Sequence, residues 1–102
     1  MVINHEQPFD EIKAAIRKSI DIDELMSKLN TIAADHSGYS TKFLVDSTRS
    51  IKRDYPEADI VFIEHPEKIF DVCTRGTLSF VMKHSDLKGC TFHYVSNRKI
   101  NS

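Results

Sequence analysis

The stretch that decides the fold is Asp59-Ile60-Val61-Phe62-Ile63-Glu64, in which four apolar residues follow one another between two acidic ones. A short apolar run without alternation is typical of a β-strand that is covered on both faces. The run is the longest apolar stretch in the chain, and it is far shorter than the roughly 20 residues that cross a bilayer. We therefore predict a buried strand over residues 59–64 and no membrane-spanning segment.

Further strand-like segments follow this run, and turn residues separate them: Lys68–Cys73, Thr77–Lys83 and Cys90–Val95. The first two are expected to form a hairpin. A two-residue Arg75-Gly76 turn would pair Asp71 with Phe80 and place a carboxylate on the apolar face. A three-residue turn, Thr74-Arg75-Gly76, supplies Gly at the left-handed position of a bulged hairpin. Because a one-residue slip exchanges the two faces of a strand, the pattern favours the three-residue turn.

This register predicts a sheet with two different faces. The helices are expected to cover an apolar face that holds Phe70, Val72, Leu78, Phe80, Met82, Phe92 and Tyr94. The opposite face mixes apolar and polar side chains, namely Ile69, Asp71, Ser79, Val81, Thr91, His93 and Val95. We call these seven residues the predicted mixed face.

Two amphipathic helices are predicted before the strands. The first spans residues 8–20, with acidic residues near its start, basic ones near its end and an apolar stripe of Phe9, Ile12, Ile16 and Ile20. The second begins after Asp21, with Glu24 completing a capping box, and His36 and Gly38 are its stop signals. Its stripe consists of Ile22, Leu25, Met26, Leu29, Ile32 and Ala33.

Residues 40–55 allow two interpretations. Either they form one helix that ends before Pro56, or Lys42–Val45 is a short strand and a helix begins at Ser47. The single helix would bury Phe43, Leu44, Ile51 and Tyr55. The regular spacing of these residues favours the single helix.

Together these patterns predict an α+β fold of two layers, with two or three N-terminal helices packed on a C-terminal antiparallel β-meander of three to four strands. The 102 residues suit a single domain over residues 1–102 that needs neither a metal nor a disulfide to fold. Only three Gly and three Pro are present, which excludes low-complexity disorder and collagen-like repeats.

Charge is nearly balanced, since 14 Lys and Arg and 15 Asp and Glu give a formal net charge of −1. Residues 1–51 carry six basic and eight acidic side chains, and residues 52–102 carry eight and seven. This balance excludes the broad electrostatic attraction of a general nucleic-acid or membrane-surface binder. It also shows no basic arm or acidic tail.

The N-terminus and the cysteines both favour the cytoplasm. Residues 1–7 lack the basic start and long apolar run of a signal peptide. Cys73 and Cys90 are the only cysteines, lack Cys-x-x-Cys spacing and fall on opposite faces of the predicted sheet. We expect both thiols to be free and largely buried in a reducing compartment.

The residue types of two reactive sites are present, but their usual patterns are not. Asp71, Ser79 and His93 could lie on adjacent strands and match an orienting carboxylate, a nucleophile and its base. Neither a sharp nucleophile-bearing turn nor a Gly-rich oxyanion segment accompanies them, so no catalytic residue is assigned and no enzyme is expected. The five His and two Cys form no close ligand pairs, so neither a metal nor another cofactor is expected.

Residues 32–44 resemble a helix-turn-helix. The matching positions are Ala34 at the helix contact, Gly38 in the turn, Ser40 at the next cap and Leu44 as the buried anchor. The resemblance implies that the second helix binds DNA through Lys42, Arg49, Lys52 and Arg53. The later hairpin would then serve as a wing.

A protein-binding role without catalysis is the function that these observations favour. Small size, balanced charge and a mixed sheet face fit an inhibitor, immunity or regulatory protein, including those carried on mobile elements. The predicted mixed face is the expected docking surface, because Ile69, Val81 and Val95 would flank hydrogen-bonding groups. The expected partner is another protein, or a second copy in a homodimer. A helix-turn-helix or winged-helix-like DNA-binding regulator is the alternative.

Overall fold

Residues 6–36 and 39–97 are described by a computed structural model, and within them four helices and three strands form the fold. Three helices come first, α1 (Glu6–Lys18), α2 (Ile22–Asp35) and α3 (Tyr39–Asp54). Strands β1 (Ile60–Glu64) and β2 (Phe70–Thr74) follow, and a 3-10 turn (Arg75–Thr77) leads through α4 (Leu78–His84) to β3 (Thr91–Val95). The predicted two-layer α+β class is confirmed.

The first two helices form where their apolar stripes predict them. Their buried side chains include Phe9, Ile12, Ile16, Ile22, Leu25, Leu29 and Ile32. The Asp21 carboxylate caps α2 by accepting a 2.9 Å hydrogen bond from the Glu24 N–H, and the Glu24 carboxylate accepts one of 2.6 Å from the Ile20 N–H. The prediction that the Ile20 side chain is buried is wrong, because α1 ends at Lys18 and leaves it exposed. Gly38 lies outside the described residues.

Replacing Asp21 with Ala is expected to lower the free energy of unfolding by about 1 kcal/mol, the usual effect of losing an N-cap. The variant loses the acceptor for the Glu24 N–H and a negative charge at the helix N-terminus. Urea denaturation measures the change. Asp21→Ser keeps a capping oxygen and should stay close to wild type, so an equal loss in both variants would contradict the capping role.

The third helix is continuous, so the single-helix interpretation of residues 40–55 is confirmed and the strand at Lys42–Val45 is wrong. Its buried side consists of Thr41, Leu44, Val45, Thr48 and, in part, Ile51. Phe43 and Tyr55 are exposed, contrary to the prediction. Phe43 lies one position away from the buried stripe, and Tyr55 follows the end of the helix. The buried Thr48 hydroxyl donates a 2.7 Å hydrogen bond to the Leu44 carbonyl.

Strand β1 lies between β2 and β3, and both pairings are antiparallel. In this register Phe62 lies opposite Val72 on one side and His93 on the other. All four apolar residues of β1 are at most 1% exposed, so the prediction of a strand covered on both faces is confirmed. The order β2-β1-β3 differs from the sequential order of the predicted meander.

Strands β2 and β3 run parallel to each other, because each is antiparallel to β1. Parallel strands cannot be joined by a tight turn and need a crossover connection. The chain therefore crosses one face of the sheet between Thr74 and Thr91, and α4 lies in this crossover. The predicted hairpin through Thr74-Arg75-Gly76 and the predicted strand over residues 77–83 are wrong.

The helical form of α4 follows from what it covers. Leu78, Phe80 and Met82 alternate as in a strand, but Leu78 and Val81 also have the spacing of one helical face. In the structure these last two residues pack against a small core of Val61, Ile63 and Cys73. Covering the second face of β1 thus outweighs the local strand pattern.

The sheet has two apolar faces. Helices α1–α3 cover the three-helix face, which holds Ile60, Phe62, Phe70, Val72 and Val95. Helix α4 covers the α4 face, which holds Val61, Ile63, Cys73 and Phe92. Of the seven residues predicted beneath the helices, five are misplaced: Leu78 and Phe92 pack in the α4-side core, and Phe80, Met82 and Tyr94 are exposed. The two faces of strand β3 are exchanged relative to the prediction, with Val95 on the three-helix face and Phe92 on the α4 face. Either orientation would bury an apolar side chain, because both faces of the sheet are apolar, and the pairing of β3 with β1 decides between them.

Candidate functional site

The seven residues of the predicted mixed face do not share one surface. The register places Thr91, His93 and Val95 on the three-helix face and Asp71 on the α4 face, while Ser79 and Val81 belong to α4 and Ile69 to the loop after β1. Val95 is buried in the main core, and Val81 packs against the smaller one. The reversed orientation of β3 and the helical form of α4 disperse the set.

Large apolar side chains are exposed on α4 and on the neighbouring face of the sheet, in a part of the chain that also holds basic residues. Phe80 and Met82 of α4 are 65% and 54% exposed, and Tyr94, on the α4 face of the sheet, is 59% exposed. The Arg75 guanidinium lies 5.7 Å from the centre of the Tyr94 ring, which is a cation–π contact. Lys83 lies in the last turn of α4. We call Arg75, Phe80, Met82, Lys83 and Tyr94 the α4 surface.

The segment that builds this surface is basic. Residues 72–97 contain three Lys and Arg, at positions 75, 83 and 88, but a single acidic residue, Asp86, whereas residues 1–71 contain nine basic and 14 acidic ones. The second half of the chain is nevertheless balanced in charge as a whole, because six of its seven acidic residues lie in residues 54–71. The α4 surface thus combines exposed apolar side chains with two cations, Lys83 and Arg75, and Arg75 Nη1 lies 3.9 Å from Asp59 Oδ2.

The cations of the helix-turn-helix alternative are largely paired with carboxylates. The ion pairs are Arg49–Asp46 at 3.8 Å, Lys52–Asp23, and Arg53–Asp54 at 3.3 Å. Lys42 is exposed on the same helix. Helices α2 and α3 do contact each other, as the pattern requires. The expected wing is wrong, because the hairpin through residues 74–76 does not form.

A second site joins three side chains that are distant in the sequence. The imidazole of His65 lies between the other two, with Nε2 2.8 Å from Asp71 Oδ2 and Nδ1 3.3 Å from Cys90 Sγ. The His65 side chain is 16% exposed, whereas the Asp71 side chain is open to solvent. A thiol, an adjacent base and a group that orients the base form the arrangement of an activated nucleophile. We call these three residues the His65 cluster.

The sheet register brings the cluster together. His65 directly follows β1, Asp71 belongs to β2, and Cys90 directly precedes β3. Because side chains alternate between the faces of a strand, all three fall on the α4 face. One member therefore lies in, or directly next to, each of the three strands.

A glycine turn allows the close approach of Cys90. The Cys90 N–H donates a 3.1 Å hydrogen bond to the Leu87 carbonyl, and Gly89 has a φ of 81°, the left-handed value that a type II turn needs at this position. A Cβ on Gly89 would lie 3.3 Å from Cγ of Pro66, the residue after His65. Glycine at this position thus lets the two loops meet.

The charges around the thiol are negative. Burial raises the pKa of the Cys90 thiol, and the carboxylates of Glu67, Asp86 and Asp71 raise it further. When Asp71 accepts a hydrogen bond from Nε2, the neutral imidazole of His65 presents the lone pair of Nδ1 to the thiol. The cluster thus combines a protonated thiol with a proton acceptor in contact with it.

The two cysteines are both free, and both belong to the α4 side of the sheet. The prediction that they occupy opposite faces is wrong, because β3 is turned over. Cys73 lies in the small core, where burial raises the pKa of its thiol. Only Cys90 contacts a histidine among the residues that the structure describes.

The constellation of Asp71, Ser79 and His93 does not assemble. His93 lies on the three-helix face, where its Nε2 is 2.8 Å from Glu64 Oε1, and Ser79 is exposed on α4. Within residues 6–36 and 39–97, no three His, Cys, Asp or Glu side chains are grouped so that they could hold a metal ion. No helix in the same ranges is long and apolar enough to cross a membrane.

Comparison with known proteins adds no assignment to this geometry. No family model matches the chain, and neither a curated protein nor a solved structure is significantly similar to it.

Proposed function

We propose that this chain is a cytoplasmic protein-binding module of the inhibitor, immunity or regulatory type. Its docking site in this proposal is the α4 surface, and its partner presents an acidic segment with apolar side chains. The observation that carries the proposal is the exposure of Phe80, Met82 and Tyr94 in the part of the chain that also holds Lys83 and Arg75, with Arg75 in contact with the Tyr94 ring. Exposed aromatic, Met and Arg side chains are typical of protein docking sites.

The residue types of the α4 surface support a protein partner. Aromatic residues, Met and Arg are enriched in the central part of protein interfaces, where they supply apolar area and directional contacts. Phe80, Met82 and Tyr94 would enter apolar pockets or contact apolar side chains of the partner. Lys83 would pair with its carboxylates, and Arg75, which lies 3.9 Å from Asp59 Oδ2, would add a second positive charge.

Charge supports an acidic occupant. The segment over residues 72–97 carries three Lys and Arg and one Asp, although the whole chain has a net charge of −1. An acidic segment of the partner would be attracted to these basic residues. Such attraction speeds the encounter of the two proteins and disfavours basic competitors. We therefore expect affinity that falls as the salt concentration rises.

The scaffold beneath the surface supports tight docking. Leu78 and Val81 anchor α4 on the sheet, and the Thr74 hydroxyl accepts a 3.2 Å hydrogen bond from the Thr77 N–H at the start of the preceding turn. Side chains on such an anchored helix lose less conformational freedom on binding than side chains on a loose loop.

The charge of Lys83 provides the test. Wild-type protein is screened against immobilised peptides that combine Asp and Glu with Leu, Phe and Trp, and against matched peptides in which Lys and Arg replace the acidic residues. We expect acidic apolar peptides to be selected. Lys83→Glu should weaken their binding by about tenfold or more, because it replaces attraction with repulsion at the docking site.

Matched variants outside the α4 surface serve as controls. Lys18→Glu makes the same change in the last turn of α1, and Ile20→Ala removes an exposed apolar side chain in the way that Phe80→Ala does. Both controls should bind like wild type, while Phe80→Ala should bind more weakly. Equal binding by Lys83→Glu and Lys18→Glu would contradict the proposal.

Two other outcomes would also overturn it. Binding to duplex DNA that Arg49→Ala abolishes would favour the helix-turn-helix alternative. Self-association of the wild type in analytical ultracentrifugation, lost in Lys83→Glu, would assign the α4 surface to a homodimer instead of a different partner.

A further inference from the structure

We propose that Cys90 is a nucleophilic thiol that His65 deprotonates, and that it forms mixed disulfides with small cationic disulfides. The contact of Cys90 Sγ with His65 Nδ1, at 3.3 Å, carries this inference together with the 2.8 Å contact of Nε2 with Asp71. The site does not depend on the proposed docking function, and it uses none of the five residues of the α4 surface.

A proton acceptor is what this thiol requires. The thiolate, and not the thiol, is the attacking form in disulfide chemistry. Burial and three nearby carboxylates raise the pKa of Cys90, so little thiolate exists at neutral pH without a base. His65 is in direct contact with the sulfur, and Asp71 holds the imidazole in the tautomer that can accept the proton.

The backbone at Cys90 favours disulfide exchange over acyl transfer. Acyl transfer develops an oxyanion, which enzymes stabilise with backbone N–H groups close to the nucleophile. The N–H of Cys90 already donates to the Leu87 carbonyl at 3.1 Å within the turn. Attack on a disulfide spreads the developing charge over sulfur atoms and needs no such donors.

The carboxylates favour a cationic reagent. Asp71 Oδ2 lies 2.8 Å from the imidazole that contacts the thiol, and Asp71, Glu67 and Asp86 all act on the thiol through their negative charge. A disulfide with ammonium groups is attracted to these carboxylates, whereas an anionic disulfide is repelled.

The step balances in atoms and electrons. His65 Nδ1 takes the proton of the Cys90 thiol, and the thiolate attacks one sulfur of the reagent. The new bond joins Cys90 Sγ to that sulfur, and the sulfur–sulfur bond of the reagent breaks. The departing thiolate takes the proton back from His65, so Cys90 is oxidised to a mixed disulfide while half of the reagent is reduced to a free thiol.

The base is tested with cystamine, the disulfide of cysteamine. Folded protein is treated with excess cystamine at neutral pH, and peptide mass mapping follows the adducts of Cys90 and Cys73 separately. We expect Cys90 to react, and His65→Asn to slow its reaction by about tenfold or more, the lower range of base catalysis. His84→Asn, which changes a histidine outside the cluster, should react like wild type.

The charge preference is tested by comparing three disulfides. Cystamine is cationic, bis(2-hydroxyethyl) disulfide is neutral, and dithiodiglycolate is anionic. The rate ratios in folded protein are divided by those of Cys90 in urea-unfolded protein, which removes the intrinsic reactivity of each reagent. We expect cystamine to be favoured in the folded protein at low salt, with a preference that decreases as salt is added.

Two results would overturn the inference. One is a folded His65→Asn protein, verified by circular dichroism, that reacts at the wild-type rate. The other is the same normalised ratio for cationic and anionic reagents. If His65→Asn does not fold, the wild-type pH profile decides. A rate that falls about tenfold for every pH unit below the thiol pKa belongs to an unassisted thiol, whereas a rate that follows an imidazole titration supports the base.

Discussion

Phe62→Ala is expected to lower the free energy of unfolding by about 3–5 kcal/mol, the usual range for removing a buried aromatic ring. Phe62 is 0% exposed, lies at the centre of the middle strand and faces helices α1–α3. Truncation leaves a cavity that packed strands and helices on all sides cannot fill. Because domains of this size have total stabilities of about 5–15 kcal/mol, this loss is a large fraction of the stability of the fold.

Phe80→Ala is the matched control, since it removes the same ring from α4. Phe80 is 65% exposed and contacts His84, so its loss should change stability by less than about 1 kcal/mol. Urea denaturation of both variants, with unchanged slopes, measures the difference. Equal losses would mean that Phe80 is buried and that residues 77–83 form the strand which their alternation suggests.

The N-terminal helices could be predicted because several local signals coincide. In α2, an apolar stripe of helical spacing follows an Asp at the cap and a Glu three residues later. Each signal is contained within one turn or one face of the helix, so no distant part of the chain is needed to interpret it. The error at Ile20 concerns only the end of a helix, where propensity gives little discrimination.

The error at α4 has a different origin. The seven residues of α4 fit the period of a strand and that of a helix. Leu78, Phe80 and Met82 are two apart, as on one face of a strand, and Leu78 and Val81 are three apart, as on one face of a helix. The choice depends on the uncovered second face of β1 and on the crossover that parallel β2 and β3 require. Both are properties of the assembled sheet, which no window of a few residues contains.

The same limitation concealed the His65 cluster. The three residues come together only because β3 pairs with β1. The alternation within β3 does not show which of its faces points to which layer, because Phe92 on one face and Val95 on the other both pack against apolar side chains. A one-residue shift in the register of β3 moves Cys90 from one face of the sheet to the other. The local signal that was available is Gly89 directly before Cys90, which indicates a turn but not what the turn approaches.

A network around Glu64 ties the middle strand to its neighbours. Glu64 Oε1 accepts a hydrogen bond from His93 Nε2 of β3 at 2.8 Å, and Oε2 lies 3.4 Å from Lys13 Nζ of α1. The Glu64 side chain is 15% exposed. Burial by itself would raise the pKa of Glu64, but the hydrogen bonds and charges of His93 and Lys13 outweigh it and lower the pKa below its ordinary value of 4.5.

Glu64→Gln should therefore lower the free energy of unfolding by about 1.5–3 kcal/mol at pH 7, the range for hydrogen bonds to charged groups. Gln keeps the shape of the side chain but leaves Lys13 and His93 without their anion. A carboxyl whose pKa is lower in the folded state stabilises above the unfolded value and loses that contribution as the pH falls through the folded value. The difference between wild type and variant should thus shrink below pH 4.5.

Urea denaturation at pH 7 and at about pH 3 measures both effects. Glu57→Gln, a change at an exposed glutamate, should alter stability little at either pH. A Glu64→Gln loss that stays constant with pH would contradict the role assigned here to the charge of Glu64.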